Sequence, residues 1–230
     1  AVIAYIEEAG TLMLTKSIIW DIDGTVIDTR NAMASAYRVA CEEMGLKEDN
    51  YRRIFAYVGQ KSSKVFVDQF GLAGAAYDEA IDRYNRAFLT QGVHDADLYP
   101  GMRALLADLK QAGCQMTVAT ARSNRSLFPL FEANGLMDTF DYIACTYDSK
   151  TKVDKTALVR DCISFMKTPA EQCVMIGDRI FDIEGGKQNH TMTIGVTFGF
   201  AEEKEVLSSG ADFIAHSVEE LRQILWGRQK

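Results

Sequence analysis

The sequence predicts an α/β fold: a doubly wound parallel sheet with an all-helical cap inserted into it. Three observations predict it. A short apolar run, Ser17-Ile18-Ile19-Trp20, stops at two acids, Asp21 and Asp23. After Pro100, short apolar runs and helical patterns alternate to the end of the chain. Between these regions, from about Arg30 to Leu98, the patterning is helical and offers no convincing strand.

The elements follow in order. The run ending at Ile22 reads as a buried first strand, because it is short, apolar and bounded by polar residues. Tyr99-Pro100-Gly101 marks the return from the cap. Residues 101–112 then predict a helix, 115–120 a strand, 123–134 a helix, 140–145 a strand and 155–166 a helix. A strand at 172–177, a helix at 181–188, the short strand Thr191-Met192-Thr193-Ile194-Gly195-Val196, a helix at 202–209, a strand at 212–215 and a last helix complete the series. Alternation of this kind implies parallel strands with helices on both faces. The expected division is a core of residues 13–29 and 99–230, a cap of 30–98 and an extension of 1–12, with Met13 the expected natural start.

Composition narrows the function. The 230 residues suffice for one core domain with an insertion, and 47% hydrophobic content suits a globular protein. Lys and Arg number 25 against 32 Asp and Glu, a net charge of −7. That balance speaks against nucleic-acid backbones and anionic membranes as partners, but leaves a small anionic substrate open. Five widely spaced cysteines without a C-x-x-C pair fit neither a disulfide framework nor a zinc site. No apolar run reaches the length of a membrane span, and residues 1–14 lack the basic start of a signal peptide. A cytoplasmic location is the expectation.

In open α/β sheets, ligands sit at the carboxyl ends of strands. Strand one ends in Asp21-Ile22-Asp23-Gly24-Thr25. Two like charges there are costly to desolvate unless a cation compensates, and Mg²⁺ is the simplest hard cation for oxygen ligands. Gly24 permits a tight turn beside an anion. Thr120 brings a hydroxyl to a second strand end and Lys155 a cation to a helix start. Asp178, in Gly177-Asp178-Arg179, ends a third strand, with Asp182 four residues on. Singly, Thr120 reads as a helix cap, Lys155 as a solvated lysine, and Asp178 with Asp182 as a dipole-stabilised helix start.

Together, D-I-D-G-T-V-I-D-T, V-A-T-A, the downstream lysine and G-D-R-x-x-D resemble the haloacid dehalogenase-like hydrolase superfamily, across roughly residues 16–227. The stretch from Gly195 to Phe200 and the helical cap resemble its phosphoglycolate phosphatase-like branch. The resemblance implies a Rossmann-like core and a phosphatase that forms an aspartyl-phosphate on Asp21. It implies that Asp23 is the acid and base, that Thr120 and Lys155 hold the phosphoryl group, and that Gly24, Thr25, Ala121 and Arg122 line the substrate site. Asp21, the carbonyl of Asp23 and Asp178 would bind Mg²⁺, with Asp182 in support. Ala121 stands where Ser or Asn is common and Arg122 where Lys is common. Lys152 competes with Lys155 for the phosphate; the helix start favours Lys155. The substrate is a small phosphorylated metabolite: phosphoglycolate, a nucleotide or a sugar phosphate.

Other readings stay open. A β-phosphoglucomutase-type mutase uses the same pair of aspartates, and a catalytically silent ligand-binding protein uses the same fold. Gly59-Gln60-Lys61-Ser62 lacks the upstream glycine of a P-loop, but Lys61 is a candidate for contact with an anionic leaving group. The aromatics Tyr51, Phe55, Tyr57 and Phe66 read as cap packing, and Cys114, Cys145 and Cys173 as buried and inert. His94, His190 and His216 have no partner at ligand spacing.

Overall fold

A computed structural model describes residues 6–8, 11–47, 65–147 and 154–227. Two short strands, β1 (Ile6–Glu8) and β2 (Thr11–Met13), pair as an antiparallel hairpin. The chain then enters β3 (Ser17–Trp20), all four residues of which are buried. A strand buried on both faces needs a continuous apolar run rather than alternation, and Ser17-Ile18-Ile19-Trp20 is close to one.

The strand β4 (Ile27–Asp28) leads into α1 (Arg30–Glu43). A π-helical turn (Val65–Gln69) and α2 (Gly74–Thr90) follow, and β5 (Asp97–Leu98) returns to pair antiparallel with β4. The expectation of no strand between 30 and 98 is therefore corrected: β5 lies inside that range. Two residues are too few for a period to show, and the partner supplies the pairing. Tyr37 of α1 stacks on Tyr84 of α2 at 4.3 Å and meets Phe66 edge-on at 5.4 Å, so Phe66 is packing as expected. Tyr51, Phe55, Tyr57 and Lys61 lie outside the described residues, as does Lys152.

The remainder alternates: α3 (Met102–Gln111), β6 (Gln115–Ser123), α4 (Asn124–Ala133), β7 (Tyr142–Thr146), α5 (Lys155–Met166) and β8 (Cys173–Gly177). Then come α6 (Ile180–Gln188), β9 (Met192–Val196), α7 (Glu203–Ser208), β10 (Phe213–Ala215) and α8 (Val218–Leu225). Six strands form one parallel sheet in the order β10-β9-β8-β3-β6-β7. The chain winds outward from β3 on one side, then crosses over and winds outward on the other. Helix α5 begins where its sequence predicts because Asp154 caps it, accepting the Thr156 N–H at 3.0 Å.

Two apolar layers cover the sheet. Ile19, Ala119 and Met175 pack under α5 with Val159, Cys162 and Met166. Ile18, Trp20, Val174 and Ile176 point the other way, into a larger cluster that also takes in α1, α2 and α3. This is the period-two pleat at work. All five cysteines are free and buried. No described helix is long and apolar enough to cross a membrane.

Leu105 is fully buried on α3, whereas Leu207 on α7 is 53% exposed. Leu105→Ala is expected to cost about 2–5 kcal/mol in urea unfolding, because it leaves a cavity. Leu207→Ala should stay within about 0.5 kcal/mol of the parent. Equal costs would mean that the α3 face is not the packed one.

Candidate active site

The crevice lies where the winding reverses, beside β3 and its neighbours β6 and β8. Three strand ends deliver side chains to it. Asp21 follows β3, and its N–H still bonds the Ile176 carbonyl of β8 at 2.9 Å. Asp178 follows β8. Thr120 lies on β6, which runs three residues beyond the expected end at 120. The β6–β7 register shifts between Ala119 and Ser123, a bulge that re-aims Thr120, Ala121 and Arg122.

One oxygen from each of Asp21, Asp178 and Asp182 falls within 4.8 Å of the others, and all three residues are buried. One cation pairs with two members of this trio. Lys155 Nζ lies 2.8 Å from Asp21 Oδ1 and 2.7 Å from Asp182 Oδ1, and it also donates to the Ala119 carbonyl at 2.8 Å. Gly185 of α6 makes room for it, since a Cβ there would come within 2.9 Å of Lys155 Cγ. Asp182 is committed elsewhere as well: its Oδ2 accepts the Arg179 N–H at 3.0 Å and caps α6.

The electrostatics follow from burial. Burial lifts the Asp21 carboxyl from 3.8 to about 7; Lys155 opposes the rise, and Asp182 and Asp23 add to it. Burial likewise drives Asp178 well above the usual carboxylate range, with Asp21 and Asp182 reinforcing it. For Lys155, burial works against the charge, but Asp182 and Asp21 outweigh it and the amine is held cationic.

Asp178 sits in a glycine cradle. A Cβ on Gly24, whose φ is +84°, would lie 2.4 Å from Asp178 Oδ2, and one on Gly199 would lie 2.4 Å from Asp178 Cβ. The Phe200 N–H donates to Asp178 Oδ2 at 2.6 Å, while Asp178 Oδ1 is buried without a hydrogen-bond partner among the described residues. An orphaned carboxyl oxygen on a residue clustered with two other buried acids is a chemically sensible place for a hard cation, which would favour the ionised form. The donor set, carboxylates of Asp21 and Asp178, fits Mg²⁺. Gly199 and Phe200 were not among the residues singled out from the sequence as site-forming. The only signal was their membership of the 195–200 stretch.

The remaining expected residues are near by. Thr120 is buried and its Oγ1 accepts the Arg122 N–H at 3.2 Å, which, among the described residues, leaves the hydroxyl proton free to donate. Thr25 is buried with Oγ1 unpartnered among the described residues. Ala121 is exposed.

Asp23 is not part of the carboxylate trio. Its side chain turns instead to Arg122, with Nε 2.9 Å from Oδ2 and Nη2 2.5 Å from Oδ1, and it accepts the Thr29 hydroxyl at 2.6 Å. Burial raises the Asp23 carboxyl, but the Arg122 charge, its hydrogen bonds and Thr29 together hold it below the usual value. Thr29 closes the motif D-I-D-G-T-V-I-D-T, but nothing in its local pattern marks it as a site residue. Phe88 of α2, which carries no site signal in the sequence either, lies under the guanidinium at 4.4 Å.

The comparisons with known proteins agree with this geometry. A 5'-nucleotidase of Pseudomonas aeruginosa is 27% identical over 209 residues, covering 91% of this chain and 95% of that one. A phosphoglycolate phosphatase of Nitrosospira multiformis is 27% identical over 218 residues, with the same coverage of 91% and 95%. The solved structure of a predicted phosphatase from Clostridium acetobutylicum superposes with a TM-score of 0.80 at 26% identity, covering 91% and 97%. The family model for haloacid dehalogenase-like hydrolases matches residues 18–196, which takes in β3 from Ile18 on, the inserted helices and every strand end of the crevice, and the chain belongs to that family.

Proposed function

We propose that this chain is a Mg²⁺-dependent phosphatase that hydrolyses a small phosphomonoester through an aspartyl-phosphate on Asp21. The observation that carries the reading is the buried trio of Asp21, Asp178 and Asp182 with one lysine among them and an orphaned oxygen on Asp178. Phosphatase names among relatives that span nearly the whole chain support it.

Each side chain has a role that its position permits. Asp21 Oδ attacks phosphorus and the ester P–O bond breaks, so the first step yields an acyl phosphate and an alkoxide. Asp23, two residues on, is held ionised by Arg122 in this structure; once turned from it and carrying a proton taken from solvent, it would give that proton to the alkoxide and then take one from the water that attacks the aspartyl-phosphate. That water's oxygen leaves in inorganic phosphate, and Asp21 is regenerated. Acid–base help of this kind is worth on the order of 10²–10⁴-fold. Thr120 can donate its free hydroxyl proton to a phosphoryl oxygen, and Lys155 neutralises charge on both the nucleophile and the phosphoryl group. Asp182 acts through Lys155, which it holds in place. Mg²⁺, held by Asp21, Asp178 and the Asp23 carbonyl, would supply charge neutralisation for the transferring phosphoryl group. The helices within 30–98 would form the cap that excludes water.

Phosphate release from a panel of phosphorylated metabolites, with Mg²⁺ and after chelation, tests the reading. Asp21→Asn should lower kcat more than about 10³-fold while the far-ultraviolet circular dichroism is retained. Substantial residual turnover would show that another group attacks. Isomerisation of a sugar phosphate without phosphate release would point to a mutase instead.

Metal removal has a second readout, independent of turnover. Mg²⁺ should raise the melting temperature of the parent protein, and Asp178→Asn should abolish that rise. The same variant should melt higher than the parent in chelator, because the parent must either protonate Asp178 on folding or crowd another charge into the buried cluster. A parent whose melting temperature ignores Mg²⁺ would remove the metal from the proposal.

The chelated protein should also lose stability as pH rises. The folded-state value of Asp21 is about 7 against 3.8 for the free group, so the folded state holds a proton that the unfolded state has shed. Stability is then greatest below about 4 for this group and declines as pH climbs through about 7. Melts in chelator between pH 5 and 8 should show the decline, and Asp21→Asn should make it shallower, leaving the part that the likewise raised Asp178 contributes. A slope that the substitution leaves unchanged would place its origin elsewhere.

A further inference from the structure

We propose that Arg122 selects the substrate, by binding a second anion carried on the leaving group and releasing Asp23 as it does so. The inference rests on the phosphatase reading and names its substrate class: phosphomonoesters with a carboxylate or a further phosphate close to the ester oxygen.

The ion pair of Arg122 and Asp23 is the starting point. The side chain of Arg122 is 8% exposed and that of Asp23 20%. The guanidinium spans both carboxylate oxygens, and Thr29 adds a third hydrogen bond to Oδ1. Held this way, both oxygens of Asp23 are engaged by Arg122 and Thr29. To reach a leaving group, Asp23 must turn away from Arg122.

That motion strands a cation. Among the described residues, Asp23 is the carboxylate paired with Arg122. The far side of the guanidinium is aromatic: Phe88 lies 4.4 Å from it, and Tyr84, stacked on Tyr37, is next to Phe88 at 6.3 Å. A ring face offsets part of the cost of desolvating a cation, but it is no substitute for an anion. A buried charge requires a paired group, and the one group that arrives when Asp23 departs is the substrate.

Chemistry then decides which substrates qualify. The guanidinium is a planar fork that bonds carboxylate or phosphate oxygens in pairs, as it bonds Asp23 here. Because Arg122 touches the group that protonates the leaving oxygen, an anion it binds must lie close to that oxygen. A leaving group with such an anion exchanges for Asp23, so recognition and release of the acid are one event. A neutral leaving group offers nothing in exchange, and the ion pair persists. Lys61, the residue expected from sequence to meet an anionic leaving group, lies outside the described residues. Arg122 is within the site.

The test uses the intact protein with Mg²⁺ and three small phosphomonoesters: 2-phosphoglycolate, ethylene glycol bisphosphate and ethyl phosphate. The parent should show kcat/KM for at least one of the first two about 10²-fold or more above that for ethyl phosphate. Whichever of the two is preferred identifies the anion as carboxylate or phosphate. Arg122→Ala should collapse the preference, with the charged ester losing far more than the neutral one, and added methylguanidinium should partly restore it. Arg122→Lys keeps the charge but not the fork, and should retain only part of the preference. A parent with equal efficiency on all three esters overturns the inference without recourse to any variant. Equal losses on charged and neutral esters in Arg122→Ala would make Arg122 a positioning residue for Asp23 and would also overturn it. A parent inactive on every ester, these three and the wider panel alike, would overturn the phosphatase reading itself.

Discussion

The structure depends on one electrostatic constraint: four carboxylates crowd the carboxyl ends of three adjacent strands, and two cations face them. Lys155 pairs with Asp21 and Asp182, while Asp23 has Arg122. Such a cluster is unfavourable in an apo protein, and burial shows it by lifting Asp21 and Asp178 out of the ordinary carboxylate range. Function, not stability, accounts for a cluster of this kind. The sheet around it provides the compensation. β3 runs parallel between β6 and β8, with Trp20 level with Val118 and Ile176, so neighbouring chain segments hold the acids where they repel.

Glycine makes this crowding geometrically possible. Gly24 turns at φ +84° against Asp178, and Gly199 passes so close that a Cβ would fall 2.3 Å from the Gly24 carbonyl. Gly177 and Gly185 do the same for Asp182 and Lys155, with would-be Cβ contacts of 2.3 and 2.9 Å. The backbone closes around the carboxylates from several sides, which limits water and preserves the strength of their fields. Phe200 then spends its N–H on one Asp178 oxygen and leaves the other without a protein donor.

What could be read in the sequence was what local pattern determines. Short apolar runs announced β3, β8 and β9, and the start of α5 at Lys155 was visible because Asp154 is a natural cap. Acids and a hydroxyl at strand ends were visible because sheet topology tells where strand ends meet. The rest depends on pairing between distant segments. The extension of β6 through Ala121, Arg122 and Ser123 has no apolar signature, and its bulge exists only against β7. The two-residue β5 has no period at all. The turn of Asp23 toward Thr29 and Arg122 requires the tight fold at Gly24, and α2 brings Phe88 over the guanidinium from a distant part of the chain. The asymmetry has a physical origin: burial patterns are written along the chain, whereas partners for charge are chosen across it.

The two cations therefore have unequal duties, and the difference follows from what surrounds them. Lys155 is a point charge reached by two carboxylates and a carbonyl, so moving it would leave several anions unpaired at once; it is fixed. Arg122 has one carboxylate partner among the described residues and an aromatic face behind it, so it can exchange that partner for another anion of similar shape without disturbing the trio. Phe88 ties that exchange to the inserted helices, since it belongs to the packed cluster of α1 and α2. A fixed cation beside the nucleophile and an exchangeable one beside the acid divide the work: the first serves any phosphoryl group, and the second responds to what the phosphoryl group is attached to.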